Sequence, residues 1–305
     1  MPVTTTRGRD VRGILLLDKP RGLTSNRALQ QVKRLYGAAK AGHTGSLDPL
    51  ATGMLPLCFG AATRLGGFLL EAEKTYRVTA RFGVATDTAD ADGAITERRD
   101  EPRSSPAAVE EALSRFRGEI EQVPPMYSAL KHRGRRLYEL ARSGVVVERE
   151  ARRVTIAELA LERLAWPDAE LYVRCSKGTY VRSLVVDLAA ALGTVAHVAE
   201  LRRVAVEPFG GEPMRTVEEL EAVAGSRGTA GLDELLLPPD RALESWPGIV
   251  VSAESAARIE HGQDVAAEEP WPLGRVKIYR EPREFLAIGE VTPERRLAPR
   301  RVFSL

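Results

Sequence analysis

Residues Ala38 to Gly53 follow neither the 3.6-residue period of a helix nor the two-residue period of a strand, yet periodic segments flank them on both sides. An aperiodic stretch of that length inside a compact domain is an ordered loop held by its surroundings, or a functional one. It carries Gly42, Gly45 and Gly53, which open backbone conformations closed to other residues. Pro49 confines Asp48, just before it, to an extended backbone. The outcome is a carboxylate held rigidly, and an Asp-Pro turn on the surface fits the same residues equally well.

The flanking segments predict the scaffold. Gly13 to Asp18 is a continuous apolar run and reads as a buried strand, ended by Lys19, Pro20 and Gly22. A helix follows, capped by Thr24 or Ser25, with Ala28, Leu29, Val32, Leu35 and Tyr36 as its apolar stripe and Gly37 at its end. Alternation from Lys74 to Val84 gives a half-buried strand, and Pro106 to Phe116 a helix. Strands are expected over Val154–Leu164 and Glu170–Cys175, then a helix after Thr179 that Gly193 closes. Strands and helices in this mixture predict an α+β fold, a mixed and mainly antiparallel central sheet flanked by helices. At 305 residues, the prior of roughly 150 residues per domain suggests two units. Gly, Pro and Ser gather between Ala224 and Pro247, a pattern expected of a linker or an edge, and short strands with one helix near Ser252–Glu260 follow. The expected division is therefore 1–245 and 246–305.

Charge narrows the partner. With 44 Lys and Arg against 42 Asp and Glu the net charge is only +2, so a polyanion would need a local patch. One exists: Lys131, Arg133, Arg135, Arg136, Arg142, Arg149, Arg152 and Arg153 face only Glu139, Glu148 and Glu150 over that span. Cys58 and Cys175 are isolated and fit buried apolar positions better than a zinc site or a disulfide. His132, His197 and His261 show no metal or triad spacing. The apolar run from Ile14 to Leu17 is too short for a signal-peptide core or a membrane span, so a cytoplasmic protein is expected.

Several segments in order resemble the pseudouridine synthases, specifically the TruB-type enzymes that act on uridine 55 of tRNA. GILLLDKPRGLTS at Gly13–Ser25 is similar to that family's first motif, and GHTGSLDPLATGMLPLCFGAATR at Gly42–Arg64 to its signature loop. EKTYRVTARFGVATDTADADG at Glu73–Gly93, PPMYSALKHRGRRLYELAR at Pro124–Arg142 and CSKGTYVRSLVVDLAAALG at Cys175–Gly193 follow. The resemblance implies a reaction without cofactor or metal: the glycosidic bond breaks, the base turns, and it rejoins the ribose through carbon 5. It places the nucleophile on Asp48, and leaves open whether Asp48 attacks ribose or base or assists a glycal route. It places the partner guanidinium on Arg182, which would lower the carboxyl's pKa and fix its orientation; without the motif, Arg182 reads as a solvated helix-start charge. It makes Tyr76 the residue that stacks on the base, with Tyr180 and Leu201 lining the same pocket.

By the same resemblance His43 pushes into the T loop as the base leaves, and Lys19 with Pro20 shapes the floor of the site. Arg64, Arg135 and Arg136 are further substrate contacts, with the insertion 124–153 gripping tRNA directly. That insertion implies a stand-alone monomer needing no guide RNA or protein partner. Phe285–Phe303 faintly resembles a PUA domain, a small RNA-binding barrel. Thr86–Gly93 suggests a calcium loop but puts Arg99 where a bidentate Glu belongs, so it reads as an acidic turn near the cleft. A tRNA-folding chaperone is a second reading, compatible with the first. A third, a glycoside hydrolase, needs two suitably spaced carboxylates where only Asp18 is near.

Overall fold

The computed structural model describes residues 8–99, 104–267 and 270–303. Strand β1 (Gly13–Lys19) lacks alternation because both its faces are covered: Leu15 and Leu17 enter one apolar cluster, Ile14 and Leu16 another. Helix α1 (Ser25–Leu35) starts where Thr24 Oγ1 accepts from Arg27 N at 3.2 Å and ends at Tyr36. Strands β2 (Ala41–His43) and β3 (Thr52–Phe59) pair antiparallel, His43 opposite Leu57. The aperiodic segment is therefore narrower than expected, spanning residues 44–51. Thr52–Phe59 escapes a pattern reading because it is buried on both faces and holds Pro56, which cannot donate to a ladder.

Helix α2 (Gly66–Glu71), strand β4 (Lys74–Phe82) and the small pair β5 (Val84–Thr86) and β6 (Ile95–Arg98) follow. Next come helix α3 (Pro106–Ser114) and strand β7 (Gly118–Gln122). The basic segment forms a hairpin, β8 (Lys131–His132) and β9 (Arg135–Arg136), that leads into helix α4 (Leu137–Arg142). Strands β10 (Arg152–Ala165) and β11 (Asp168–Cys175), helix α5 (Val181–Ala191), strand β12 (Ala196–Val206) and helix α6 (Val217–Asp233) complete the first unit.

Eight of these strands form one sheet in the order β1-β3-β12-β4-β11-β10-β7, with β2 on β3, apart from the pairs β5-β6 and β8-β9. Only β12 and β3 run parallel, with Arg202 opposite Thr52 and Arg203 opposite Gly53. The fold is thus α+β, with the mixed and mainly antiparallel sheet that the sequence predicts. Leu29 and Val32 of α1, Val109 and Leu113 of α3, and Leu184 and Leu188 of α5 pack with Val78, Leu171 and Val173 in the main core.

The stretch Ala224–Pro247 is not a linker. Thr216 and Glu219 form a reciprocal cap at the start of α6, whose Leu220 and Leu232 are fully buried. Tyr36 Oη donates to Leu232 O at 2.9 Å, and Leu237 exchanges backbone bonds with Ile14. Its Gly residues mark a kink at Gly228, with φ of 64°, and not a flexible tether.

A second sheet follows, from β13 (Gly248–Val251), helix α7 (Ala253–Glu260), β14 (Val265–Ala266), β15 (Gly274–Arg280), β16 (Glu284–Val291) and β17 (Arg296–Val302). Its order is β13-β15-β16-β17-β14. Ile14, Leu16, Met54, Phe209 and Leu243 of the first unit share an apolar cluster with Ile288 and Phe303. No helix among the described residues is long and apolar enough to cross a membrane.

Candidate active site

The loop between β2 and β3 is held from beneath by the first segment of the chain. Ser25 Oγ accepts from Leu47 N at 2.7 Å and donates to Leu47 O at 3.1 Å. Lys19 is fully buried, and its Nζ donates to Pro20 O at 2.8 Å, Leu23 O at 2.7 Å and Pro49 O at 3.5 Å. Burial lowers its pKa to about 8, with the Asp48 charge opposing. Lys19 therefore sits under the loop and does not face the cleft. At the far end Gly53 has a φ of +96°, and a Cβ there would lie 2.2 Å from Arg203 O. Only glycine lets β3 and β12 approach this closely.

What remains above the floor is Asp48. Arg182, in the first turn of α5, brings Nε to 2.9 Å from Asp48 Oδ2. Its other nitrogens donate to Thr88 O at 2.8 Å and Tyr127 O at 2.7 Å, and Asp90 Oδ2 lies 3.8 Å from Nε. Burial raises the Asp48 carboxyl above its ordinary value; Arg182 opposes this and Asp90 adds to it. The sequence expectation of a depressed pKa fails because the loop seats the carboxyl at the base of a cleft, where lost hydration outweighs one guanidinium. Even so, 40% of the Asp48 side-chain surface stays open, so the group is reachable. The acidic turn is braced partly from within, since Asp90 Oδ1 accepts from Thr88 Oγ1 at 2.5 Å and Asp92 N at 3.2 Å, and Asp87 Oδ1 from Ala94 N at 2.8 Å; Asp92 also lies 3.7 Å from Arg21.

The cleft has two lobes that meet at Asp48 and Arg182. An inner chamber of about 330 Å³ is walled by Lys74, Tyr76, Tyr180, Leu201 and Arg203. An outer groove of about 920 Å³ is lined by His43, Asp90, Tyr127, Arg136, Tyr138 and Arg142, among others. Tyr76, on β4, stands opposite Val173 and Arg203, and burial raises its phenol while Arg203 pulls it down. Tyr180 is fixed by the Gln122 amide, which donates to Tyr180 O at 3.0 Å and accepts from its N at 2.7 Å. Both phenols stay protonated at neutral pH, since burial raises that of Tyr180 as well. His43 Nδ1 is buried with no hydrogen-bond partner, and burial, helped by Arg203, lowers its pKa. Its ring is neutral at pH 7.

Asp48, Arg182, Tyr76, Tyr180 and Leu201 thus come together in one chamber, with His43 and Arg136 in the adjoining groove. Arg135 is exposed on β9 and lines neither lobe. Arg64 lies elsewhere: Nη1 donates to Val302 O at 2.7 Å and its own carbonyl accepts from Arg301, at the seam between the two sheets. Its place in the signature segment does not bring it to the cleft, because the chain turns away after β3. Sequence reasoning missed Arg203, Lys74 and Gln122. Period two along β12 puts residue 203 on the same face as Leu201, which was the available signal for Arg203.

Residues 33–181 match the TruB family pseudouridylate synthase N-terminal domain. Residues 182–244 match the tRNA pseudouridylate synthase B C-terminal domain, and 247–303 the C-terminal domain of pseudouridine synthase II TruB. A protein of Ectopseudomonas mendocina named tRNA pseudouridine synthase B is 54% identical over 294 residues, 96% of each chain. One of the same name from Aeromonas salmonicida is 50% identical over 303 residues, 97% of this chain and 95% of the relative. Among solved structures, a Cbf5-Nop10-Gar1 complex matches with a TM-score of 0.73 and 25% identity, over 96% of this chain and 85% of that one. An archaeal box H/ACA Nop10-Cbf5 complex, 23% identical with a TM-score of 0.71 over 100% and 89% of the chains, shows the same fold.

Proposed function

The chain belongs to the TruB family and is a pseudouridine synthase; from that premise we propose that it converts uridine 55 in the T loop of tRNA to pseudouridine, with Asp48 as nucleophile. The observation that carries this reading is the meeting of chamber and groove at the Asp48–Arg182 pair. A stacked uridine must leave its loop to react, at a cost of about a few kcal/mol that stacking in the pocket offsets. The chamber suits that base. Tyr76 offers a ring face, Tyr180 and Leu201 close the walls, and Arg182 holds the carboxylate in one orientation.

In the reaction the bond from C1′ to N1 breaks and one from C1′ to C5 forms, while C5 loses a proton and N1 gains one, so no atoms are lost. Asp48 acts ionised. His43, neutral and unpartnered at the mouth, takes the space that the extruded base vacates. Lys19 with Pro20 serves from beneath by fixing the loop.

The outer groove supplies the grip. Arg136 and Arg142 flank the Tyr138 ring, their guanidinium carbons 5.8 and 5.6 Å from its centroid, and Lys131 stands beside them. This basic wall favours direct binding of a tRNA stem-loop by a monomer, without guide RNA or protein partner. The same grip favours an added role as a tRNA-folding chaperone. We assign residues 1–245 as the catalytic unit and 246–305 as a PUA-like unit. The test is mass spectrometry of tRNA treated with the protein, using cyanoethylation to tag pseudouridine; tagged uridine 55 supports the reading and an untagged T loop refutes it.

A further inference from the structure

Among the fully buried side chains of the described residues the largest is Arg203, 1% exposed, on β12 two residues beyond Leu201. Its Nε donates to Met54 O at 2.7 Å and its Nη2 to Gly45 O at 3.1 Å. Gly45 lies near the start of the loop that carries Asp48, and Met54 lies on β3 just beyond its end. Arg203 also stands directly opposite Tyr76 across β12 and β4, and the two line the same chamber. No carboxylate among the described residues lies within ion-pair distance of it, whereas Arg182, across the chamber, is paired with Asp48. A buried guanidinium without a counter-charge is costly, and apolar packing alone gives no reason to keep one here. Two carbonyl acceptors from separate segments match two prongs of the planar fork of guanidinium, which neither a lysine nor an apolar side chain reproduces.

We propose that Arg203 is a positioning residue for the isomerisation: a single buried guanidinium that ties the start of the Asp48 loop to strand β3 and, from directly opposite, holds Tyr76 in place, so that loop and ring act as one unit. Arg182 sets the direction of the carboxylate, and Arg203 sets its distance from the ring against which the base stacks. The proposal rests on the reading of the chamber as the uridine site.

The test uses the full chain with Arg203→Lys and Arg203→Gln, each alone and combined with Tyr76→Phe. Thermal unfolding, tRNA affinity and the single-turnover rate at saturating tRNA are measured for each. Arg203→Lys is expected to cut the rate by about 100-fold or more while affinity stays within about threefold, because misplacement of reacting groups acts on the chemical step. In the Tyr76→Phe background the loss on adding Arg203→Lys is smaller by about tenfold, since the cross-strand partner on which Arg203 acts is already altered. Ile259→Ala, in the core of the second sheet, supplies a comparison that destabilises without touching the chamber. A rate for Arg203→Lys and Arg203→Gln within about tenfold of wild type overturns the proposal, as does a loss that Ile259→Ala reproduces, or full additivity with Tyr76→Phe. Wild type that forms no pseudouridine in tRNA overturns the reading beneath it and the proposal together.

Discussion

Arg182 Nε lies 2.9 Å from Asp48 Oδ2, and the other two guanidinium nitrogens are committed to carbonyls of the opposite wall, Thr88 O and Tyr127 O. The guanidinium cannot turn without breaking bonds to two other segments, so it dictates where the carboxylate points.

Arg182→Lys keeps the charge and loses the fork. The single-turnover rate is expected to fall about 100-fold or more, with tRNA affinity within a few-fold, because orientation acts on the chemical step. Affinity that drops while the rate holds makes Arg182 a phosphate contact instead.

The Asp48 carboxyl, raised by burial, must be ionised to act. The acid limb of kcat/KM, which reports the free enzyme, is therefore expected to have its midpoint above the ordinary carboxylate value, with activity rising as pH increases through it. Asp90→Asn removes a charge that raises this pKa and shifts the limb down. The stability sign follows: a raised folded pKa contributes stability present below the unfolded value and lost as pH rises through the folded one. Asp48→Asn, with no charge to bury, is expected to melt no lower than wild type at neutral pH; a clear drop in Tm contradicts this.

The basic groove is expected to hold phosphates. Arg136 lines it and Arg135 is exposed beside it. Removing one side chain that neutralises a phosphate reduces the slope of log affinity against log salt by about 0.7 to 0.9, so Arg135→Ala with Arg136→Ala flattens it by about one to two units. The saturated single-turnover rate stays within a few-fold. Binding measured in an Asp48→Asn background across a salt series decides, and an unchanged slope sinks the assignment.

Gly53→Ala tests the joint between β3 and β12. Its Cβ would sit 2.2 Å from Arg203 O at a φ of +96°. The strain and the clash together are expected to cost about 3 kcal/mol or more, read as a lower Tm and a lower denaturant midpoint. A variant as stable as wild type refutes the close approach.

Elements with a clean period were legible in the sequence. Thr24 and the stripe through Val32 announced α1, and Ser252 announced α7. What hid was buried on both faces or discontinuous in sequence: β3 shows no alternation, and α6 looks like a tether because its Gly residues mask a capped helix. The site divides the same way. Asp48, Tyr76 and Arg182 were reached through the resemblance, not through their own chemistry. The sign of the Asp48 shift depends on how deep the loop seats the carboxyl, which no local pattern records. Arg64 illustrates the converse, a residue inside a telling motif that the fold carries to another surface.

The central claim is that Asp48 forms pseudouridine at position 55 of tRNA. The direct measurement is a nuclease digest of cyanoethylated tRNA, analysed by mass spectrometry after single-turnover reaction with wild type and with Asp48→Asn. A tagged uridine 55 is expected with wild type, and with Asp48→Asn a rate lower by about 10⁴ to 10⁶ although tRNA is still bound. An untagged position 55 with wild type, or an Asp48→Asn rate within about tenfold of it, contradicts the claim.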